Sequence, residues 1–311
     1  MGASDKIALV TGASGFVGSH LAARLIADGW QTHLVVRDAA HPRLQRFAGK
    51  AALHVHDGTQ AGMTAIVGAT KPTVVFHLAS LFLAQHKPED TGALITSNVL
   101  FGTQLLQAMV DQGVKRLVNT GTAWQHFDNA AYNPTNLYAA TKQAFADVAQ
   151  YYVEALGVKM ITLELFDTYG PDDPRPKLMA LLKKLAATGE RLEMSPGEQV
   201  IDLVHIEDVC AAFVLAAERL LRGEVTGAET YAVSSGAPLK LRELVAVFEG
   251  VVGKKLAIEW GKRPYRPREV MVPWRGGRML PGWGVRVRLQ EGIAGFLNYV
   301  EAGDGGKERA R

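Results

Sequence analysis

The sequence predicts an α/β fold, a doubly wound parallel sheet with a smaller C-terminal substrate-binding lobe. Short apolar runs typical of buried strands alternate with helical stretches, which is the pattern of parallel βαβ units. The first run leads directly into a glycine-rich turn and a helical pattern, as in a Rossmann sheet. The 311 residues are enough for a sheet and a second lobe, and 48% apolar with 21% charged residues is typical of a globular protein.

Six apolar runs are predicted to be strands of this sheet. They lie near residues 7–11, 32–36, 52–56, 73–78, 115–120 and 158–165. Helices are predicted over 92–112 and 137–156, and Asn136 before the second is typical of a helix cap, because its side chain binds free backbone N–H groups. Right-handed crossovers bring the carboxyl ends of the strands to one edge, where a ligand site is expected.

A glycine-rich turn follows the first predicted strand and predicts a dinucleotide site. Gly12 permits the tight turn, Gly15 lets the backbone approach a pyrophosphate, and Gly18 lets the helix pack closely on the strand. The free N–H groups at the start of that helix favour the same pyrophosphate. The residues expected to contact the dinucleotide here are Gly12, Ser14, Gly15, Phe16, Val17 and Gly18.

The end of the second predicted strand distinguishes the two nicotinamide dinucleotides. An NAD site usually has Asp or Glu there, which accepts hydrogen bonds from the ribose 2′-hydroxyl. Here Val36 and Arg37 stand in that place, and Asp38 follows one residue late. Since a guanidinium binds a 2′-phosphate that a carboxylate would repel, we predict NADP(H) rather than NAD(H). Asp57 and Gly58, after the third strand, either contact the adenine or form only a turn.

Tyr138 and Lys142 are four residues apart in a predicted helix and therefore share one of its faces. An ammonium group beside a phenol favours the phenolate, so we expect the pKa of Tyr138 to lie below its ordinary value of about 10. Such a phenol is a proton donor or acceptor usable near neutral pH. Thr122, at the end of the fifth predicted strand, supplies a hydroxyl to the same site, with Thr120 as the alternative.

The glycine turn, Thr122 and the Tyr138–Lys142 pair stand in the order and at the distances found in one enzyme family. On these residues the chain resembles the extended branch of the short-chain dehydrogenase/reductase family, the NAD-dependent epimerases and dehydratases, from Ile7 to about Tyr299. Most members act on nucleoside-diphosphate sugars. Three stretches further resemble NDP-4-ketohexose reductases of the CDP-paratose and CDP-abequose synthase type: Thr120–Gln125, Asn133–Lys142 and Leu165–Pro171.

The resemblance implies a role for each residue of the site. Tyr138 would give a proton to the substrate carbonyl oxygen, Thr122 would hydrogen-bond the same oxygen, and Lys142 would hold the nicotinamide ribose. Further cofactor contacts are implied for Leu78, Ala79, Ser80, Thr120 and Phe166, and substrate contacts for Leu81, Trp124, Asp167, Arg175, Lys177 and Arg268. Many members carry Asn in place of Asp167, so this carboxylate faces away from the diphosphate, is offset by Arg175 and Lys177, or contacts a sugar hydroxyl.

A basic segment in the C-terminal part suits an anionic substrate. Between Lys254 and Arg288, ten basic and two acidic side chains give a net charge of +8, whereas the whole chain carries +3. Arg268, within this segment, matches the place where extended members hold the diphosphate. The small overall charge and the lack of aromatic stacking repeats argue against a nucleic-acid-binding class.

Composition limits the remaining possibilities. Cys210 is the only cysteine and lies in an apolar helical pattern, so we expect a small buried residue and a reducing, cytoplasmic location. The nine histidines show no metal-binding spacing, so no metal is expected. The longest apolar stretch, near 209–217, is too short to span a bilayer, so no membrane contact is expected. If the chain assembles as members of the resembled family do, helices 92–112 and 137–156 would face each other in a homodimer, and their apolar side chains equally suit a core face.

These observations predict both an organisation and an activity. The predicted parts are an NADP-binding domain over 1–170, with 200–233 returning to it, a substrate-binding lobe over 171–199 and 234–302, and a disordered tail over 303–311. The predicted activity is NADPH-dependent reduction of the 4-keto group of a CDP- or dTDP-linked 4-keto-deoxyhexose. Two alternatives are an NDP-sugar 4-epimerase with tightly bound NAD and a non-catalytic NADP-binding regulator. Arg37 favours a dissociable cofactor, and the intact Thr122, Tyr138 and Lys142 favour an enzyme.

Overall fold

The computed structural model describes residues 6–299. Its strands are, in chain order, β1 (Ile7–Thr11), β2 (Gln31–Val36), β3 (Ala52–Val55), β4 (Val74–His77), β5 (Arg116–Thr122), β6 (Lys159–Leu165), β7 (Asp167–Tyr169), β8 (Leu192–Met194), β9 (Val200–Ile201), β10 (Leu203–His205), β11 (Ala228–Val233), β12 (Leu239–Lys240) and β13 (Ile258–Trp260). Its α-helices are α1 (Phe16–Ala27), α2 (Gln60–Thr70), α3 (Thr91–Ile95), α4 (Phe101–Asp111), α5 (Leu137–Leu156), α6 (Leu178–Thr188), α7 (Ile206–Leu221), α8 (Leu241–Val252) and α9 (Leu289–Asn298). The predicted tail over 303–311 lies outside the described residues.

Seven strands form one parallel sheet in the order β11-β6-β5-β4-β1-β2-β3. Strand β1 pairs with both β2 and β4, so the strand order reverses beside β1 and leaves a crevice outside the carboxyl ends of β1 and β4. Helices α1 and α7 pack on one face of the sheet, and α2, α4 and α5 pack on the other. The predicted α/β fold with a doubly wound parallel sheet is confirmed.

The observed elements follow the predicted pattern closely where burial is continuous. The six predicted strands agree with β1 to β6 to within about two residues at each end, the usual uncertainty of such boundaries. Helix α5 begins after Asn136, whose Oδ1 accepts the N–H of Ala139 at 2.9 Å, as predicted. The predicted helix over 92–112 is instead divided, because a π-helical turn at Thr96–Leu100 separates α3 from α4. This turn buries the side chain of Asn98.

The C-terminal part adds three two-stranded sheets and a separate apolar core. The pairs are β10 with β7, β12 with β9, and β13 with β8. Helices α6, α8 and α9 supply most of the residues of this core. Strand β11 instead extends the central sheet beside β6. Cys210 is buried in α7, and burial raises the pKa of its thiol to about 12, so this cysteine is the inert residue that the sequence predicts.

One helical run has the length and composition of a membrane span. Pro88–Asp111 contains an 18-residue window of mean hydropathy 1.3, of which 39% is buried inside the fold. This run is interrupted by polar residues such as Thr96, Ser97 and Asn98, whereas the stretch 209–217 is continuously apolar. Leu105, Leu106 and Met109 of this run lie in the core between the sheet and α5, which accounts for part of its apolar character.

Candidate functional site

The glycine turn between β1 and α1 is held in a shape that side chains would obstruct. Gly12 has φ +79°, and a Cβ there would lie 2.7 Å from the backbone of Leu78 and Ala79. A Cβ on Gly18 would collide with the backbone of Gly12. Helix α1 begins at Gly15 without a side-chain cap, so its first N–H groups remain available to an anion. The cradle therefore fits the pyrophosphate of a dinucleotide.

One cleft runs from this turn to the predicted catalytic residues. Thr122, Tyr138 and Lys142 all line it, together with the side of the glycine turn. The other predicted residues along its walls are Gly12, Gly15, Phe16, Val17, Gly18, Leu78, Ser80, Thr120, Trp124, Phe166, Asp167, Arg175 and Lys177. Four more lining residues were not assigned roles from the sequence: Phe82, Gly121, Leu165 and Thr168. All four directly adjoin assigned residues, which is the signal in the sequence that could have found them.

Burial favours the neutral forms of both Tyr138 and Lys142. Burial raises the pKa of Tyr138 to about 12, and the Ser80 hydroxyl and the Arg175 charge offset this only in part. Burial lowers the pKa of Lys142 to about 8. The expectation of a lowered Tyr138 pKa is therefore wrong for the protein without cofactor. The reason is that burial destabilises the charged phenolate by more than the Ser80 hydroxyl and the Arg175 charge stabilise it.

Replacing Lys142 by Met is expected to stabilise the cofactor-free protein at pH 7. The folded pKa of about 8 lies below the ordinary 10.5, so between these values the unfolded chain binds more protons and the free energy of unfolding rises with pH. Below pH 8 the folded protein bears the full cost of a buried ammonium, which Met removes. Urea unfolding at pH 7 and pH 9.5 measures this, with Lys50→Met as an exposed control. If the free energy of unfolding of Lys142→Met changed with pH as that of the unaltered protein does, the prediction would be contradicted.

The hydroxyls of Thr120 and Thr122 differ in what they bind. Thr120 donates its hydroxyl proton to the carbonyl of His77 at 2.9 Å. Thr122 Oγ1 instead accepts the N–H of Trp124 at 3.3 Å, which leaves its proton available to a ligand in the cleft. Of the two candidates, Thr122 is therefore the better hydrogen-bond donor to a substrate oxygen.

Asn98 ties the loop after β4 to the helix that carries Tyr138. Its Oδ1 accepts the N–H of Leu81 at 2.7 Å and the hydroxyl of Ser80 at 3.2 Å. Its Nδ2 donates to Thr141 Oγ1 at 2.9 Å, and that hydroxyl donates to the carbonyl of Tyr138 at 2.7 Å. The π-helical turn thus places one amide where it fixes both walls of the cleft.

The charged residues predicted to meet the substrate form two local pairs. Lys177 lies 3.6 Å from Asp167, and both line the cleft. Of the three possibilities for Asp167, the structure therefore supports an offset by Lys177. Arg175 pairs with Asp173 at 2.6 Å and stacks over the ring of Phe16, 4.5 Å from its centroid.

The loop after β7 is held by polar contacts to α1 and to the segment after β2. Asp172 Oδ2 accepts from Arg43 at 2.7 Å and from Arg46 at 3.0 Å. The neighbouring carbonyl of Pro171 lies 3.0 Å from His20 Nε2, on α1. Asp172 has φ +58°, a left-handed conformation that costs a residue with a side chain some strain. Residues 171–172 are therefore attached both to α1 and to the segment that follows β2.

Seven predicted residues lie outside the lining of the cleft: Ser14, Arg37, Asp57, Gly58, Ala79, Leu81 and Arg268. Arg37 is exposed at the end of β2. Asp57 Oδ1 accepts from both the N–H and the hydroxyl of Thr59 at 2.8 Å, which is the turn role that the sequence left open. Arg268 donates to Asn133 Oδ1 at 2.6 Å and to the carbonyl of Pro134 at 2.9 Å, beside the start of α5.

Two curated relatives span nearly the whole chain at low identity. The UDP-glucose 4-epimerase of Mycolicibacterium smegmatis is 29% identical over 314 residues, covering 94% of this chain and 97% of that protein. The CDP-abequose synthase of Salmonella muenchen is 24% identical over 300 residues, covering 96% of this chain and 99% of that protein.

Solved structures with the same fold bind a nicotinamide dinucleotide. The UDP-glucose 4-epimerase of Thermus thermophilus in complex with NAD has a TM-score of 0.80 at 25% identity, over 94% of this chain and 98% of that chain. The UDP-glucuronic acid 4-epimerase of Bacillus cereus, at 20% identity, supports the fold alone, with a TM-score of 0.83 over 94% of this chain and 98% of that chain. Residues 8–231, which hold the glycine turn and all three predicted catalytic residues, match the NAD dependent epimerase/dehydratase family, and the chain therefore belongs to that family.

Proposed function

We propose that this protein is an enzyme that uses NADPH to reduce the 4-keto group of a nucleotide-linked 4-keto-deoxyhexose, with CDP or dTDP as the nucleotide. The observation that carries the proposal is the meeting of Thr122, Tyr138 and Lys142 in the cleft that the glycine turn begins. The CDP-abequose synthase relative, which aligns over 96% of this chain, supports the same substrate class.

The residues of the cleft would bind the dinucleotide, donate the proton and hydrogen-bond the substrate oxygen in separate places. The uncapped start of α1 and the turn Gly12–Gly18 would hold the dinucleotide pyrophosphate. When bound, the reduced dinucleotide supplies the hydride. The hydroxyl of Tyr138 gives its proton to the carbonyl oxygen of the substrate, and the hydroxyl of Thr122 donates a hydrogen bond to the same oxygen. Lys142 binds the ribose and keeps positive charge beside the phenol as it loses its proton.

The protonation state of Tyr138 favours reduction as the starting reaction. With a pKa of about 12 the phenol is protonated at neutral pH, which is the state that a proton donor needs. Oxidation of a sugar hydroxyl, the first step of an epimerase, needs the deprotonated phenol instead. In the protein without cofactor, burial favours the protonated Tyr138 phenol over the deprotonated form that this oxidation needs.

Arg37→Glu is expected to reverse the choice of cofactor. Loss of a charge-assisted hydrogen bond to the 2′-phosphate costs about 1.5–3 kcal/mol, which corresponds to roughly 10- to 150-fold in the dissociation constant of NADPH. The new carboxylate would accept from the 2′-hydroxyl of NADH. Fluorescence titration with both cofactors measures this, and Lys50→Glu controls for the change in net charge. Equal affinity of the unaltered protein for NADPH and NADH would contradict it.

A second candidate is an NDP-sugar 4-epimerase with tightly bound NAD. The 29% identical relative from Mycolicibacterium smegmatis is a UDP-glucose 4-epimerase, and the Thermus thermophilus structure holds NAD. The two candidates differ in the fate of the cofactor. An epimerase retains and recycles it, whereas a reductase consumes one NADPH for each product molecule.

We also propose how the remaining parts take part. The residues near the nucleotide sugar would be Leu81, Trp124, Asp167, Arg175, Lys177 and Arg268, with 171–199 and 234–302 as the lobe that closes over it. A homodimer in the cytoplasm is proposed, with pairing along α3 to α5. Ile95 and Leu100 on one side of this surface and Tyr151 on the other are 45%, 48% and 61% exposed, which supports such pairing.

The decisive experiment follows NADPH oxidation with a panel of CDP-, dTDP-, GDP- and UDP-linked 4-ketosugars. The proposal expects stoichiometric consumption of NADPH with at least one CDP or dTDP substrate, and little cofactor in the purified protein. Retained NAD with epimerisation of a plain NDP-hexose, and no oxidation with any ketosugar, would replace it with the second candidate.

A further inference from the structure

A chain of side-chain hydrogen bonds runs from the Thr122 turn to the surface of the catalytic helix α5. The N–H of Thr122 donates to Gln125 Oε1 at 3.1 Å. Gln125 Nε2 donates to Gln143 Oε1 at 2.8 Å, and Gln143 Nε2 donates to Asp147 Oδ1 at 2.8 Å. Gln143 is the neighbour of Lys142, so the chain links the segment that carries one reactive residue to the helix that carries the other two.

The two ends of this chain fix its direction. A backbone N–H can only donate, and an ionised carboxylate can only accept. Both glutamine amides between them can therefore satisfy their neighbours in one orientation only. Hydrogen bonds that all point the same way polarise one another, so the chain is stronger than three isolated bonds.

Close packing alone does not hold the turn that carries Thr122 against α5. Behind it lies a cavity of about 230 Å³ that Gln125, Gln143 and Asp147 themselves line. Gln125 is only 3% exposed, so an unsatisfied amide there would be costly. Asn119 Oδ1 and Glu164 Oε2, which belong to two other lining residues, are buried without a protein partner. Two backbone hydrogen bonds, from Asn133 to Gln125 and from Thr135 to Trp124, tie the turn to the segment before α5, and the side-chain hydrogen bonds add a connection to the helix itself.

We propose that Gln125, Gln143 and Asp147 are positioning residues that set the Thr122 hydroxyl relative to Tyr138. They do not touch the substrate but fix the turn on which Thr122 stands. The inference rests on the proposed function for its kinetic consequence, because it assumes that Thr122 and Tyr138 act on one oxygen. Its structural content, the one-way chain, can be tested without any activity.

Exchanging the amide and the carboxylate between positions 143 and 147 tests whether the link between them is needed. Q143E still offers an acceptor to Gln125 but replaces the donor to Asp147 by a second carboxylate, so repulsion between the two carboxylates draws the new side chain away from Gln125 and weakens the chain. D147N keeps an acceptor for Gln143 and keeps the chain. In Q143E/D147N the new amide donates to the new carboxylate, and the chain is restored. Misplacement of a reacting group by about 1 Å costs up to roughly 100-fold, so we expect a fall in kcat of about tenfold for Q143E alone, with KM unchanged.

A matched pair on the same helix serves as the control. Gln150 Nε2 donates to Glu154 Oε1 at 2.6 Å in the same geometry but without a connection to the turn. Q150E and Q150E/E154Q should therefore leave kcat unchanged. An effect of Q150E equal to that of Q143E would overturn the proposal, since any paired charge on α5 would then suffice.

The activity-independent measurement is hydrogen exchange of the Gln125 side-chain amide in glutamine-labelled protein, followed by NMR without substrate. Slow exchange in the unaltered protein, fast exchange in Q143E and slow exchange again in Q143E/D147N are expected. Fast exchange in all three proteins, or exchange in Q143E/D147N that is no slower than in Q143E, would contradict the proposed hydrogen-bond chain. If exchange is slow again in Q143E/D147N but the protein turns over no ketosugar, the hydrogen-bond chain stands and only the proposed reduction is contradicted.

Discussion

Tyr138→Phe is expected to lower kcat by about 10²- to 10⁴-fold, the usual contribution of a general acid, while the dissociation constant of the dinucleotide stays within about threefold. The phenol hydroxyl is the only group removed, and the ring keeps its edge-to-face contact with Phe82, whose centroid lies 5.0 Å away. The glycine turn that would hold the pyrophosphate is not touched. Steady-state kinetics and fluorescence titration measure the two quantities.

The matching control is Tyr132→Phe, because Tyr132 is 50% exposed. This variant should behave as the unaltered protein. Tyr138→Phe also separates the enzyme from the non-catalytic regulator, since a regulator would keep its cellular function when the hydroxyl is lost. Full turnover by Tyr138→Phe would remove the proton-donor role altogether.

Gly18→Ala is expected to weaken dinucleotide binding by roughly 10- to 150-fold or more. The added Cβ would lie 2.7 Å from the backbone carbonyl carbon of Gly12, and a backbone atom cannot move aside as a flexible side chain can. Helix α1 must therefore shift, and its free N–H groups shift with it. Loss of one such charge-assisted hydrogen bond costs about 1.5–3 kcal/mol. Titration with NADPH and thermal unfolding without cofactor measure binding and stability separately.

Gly250→Ala is the matched control, since Gly250 also lies within a helix and no atom lies within 4 Å of its added Cβ. Alanine is favoured over glycine inside a helix by about 0.5–1 kcal/mol, so this control should be slightly stabilised and bind NADPH normally. If Gly18→Ala bound NADPH as the control does, the close packing of α1 on the turn would not be what creates the site.

Most of the central sheet can be predicted from the sequence, because buried parallel strands appear in it as continuous apolar runs. The ends of β1 to β6, the glycine turn and the Asn136 cap all follow from local pattern. The meeting of Thr122, Tyr138 and Lys142 also follows, because a parallel sheet gathers the carboxyl ends of its strands.

What the sequence does not predict depends on contacts between distant parts of the chain. The π-helical turn around Asn98 interrupts no apolar pattern, so periodicity continues through it. The partner of Arg268, which proves to be Asn133, is 135 residues away. The direction of the Tyr138 pKa depends on how completely water is excluded, and spacing along a helix carries no information about that.

The strained conformation at Asp172 is stabilised by ion pairs with Arg43 and Arg46, which makes the position of this loop sensitive to dissolved ions. Asparagine or glycine would relax the backbone there but would release Arg43 and Arg46. Dissolved salt acts as asparagine would, because it weakens the two ion pairs without touching the backbone strain. Ionic strength therefore sets how firmly residues 171–172 are held against Arg43 and Arg46, whereas the buried apolar contacts of the sheet do not depend on it.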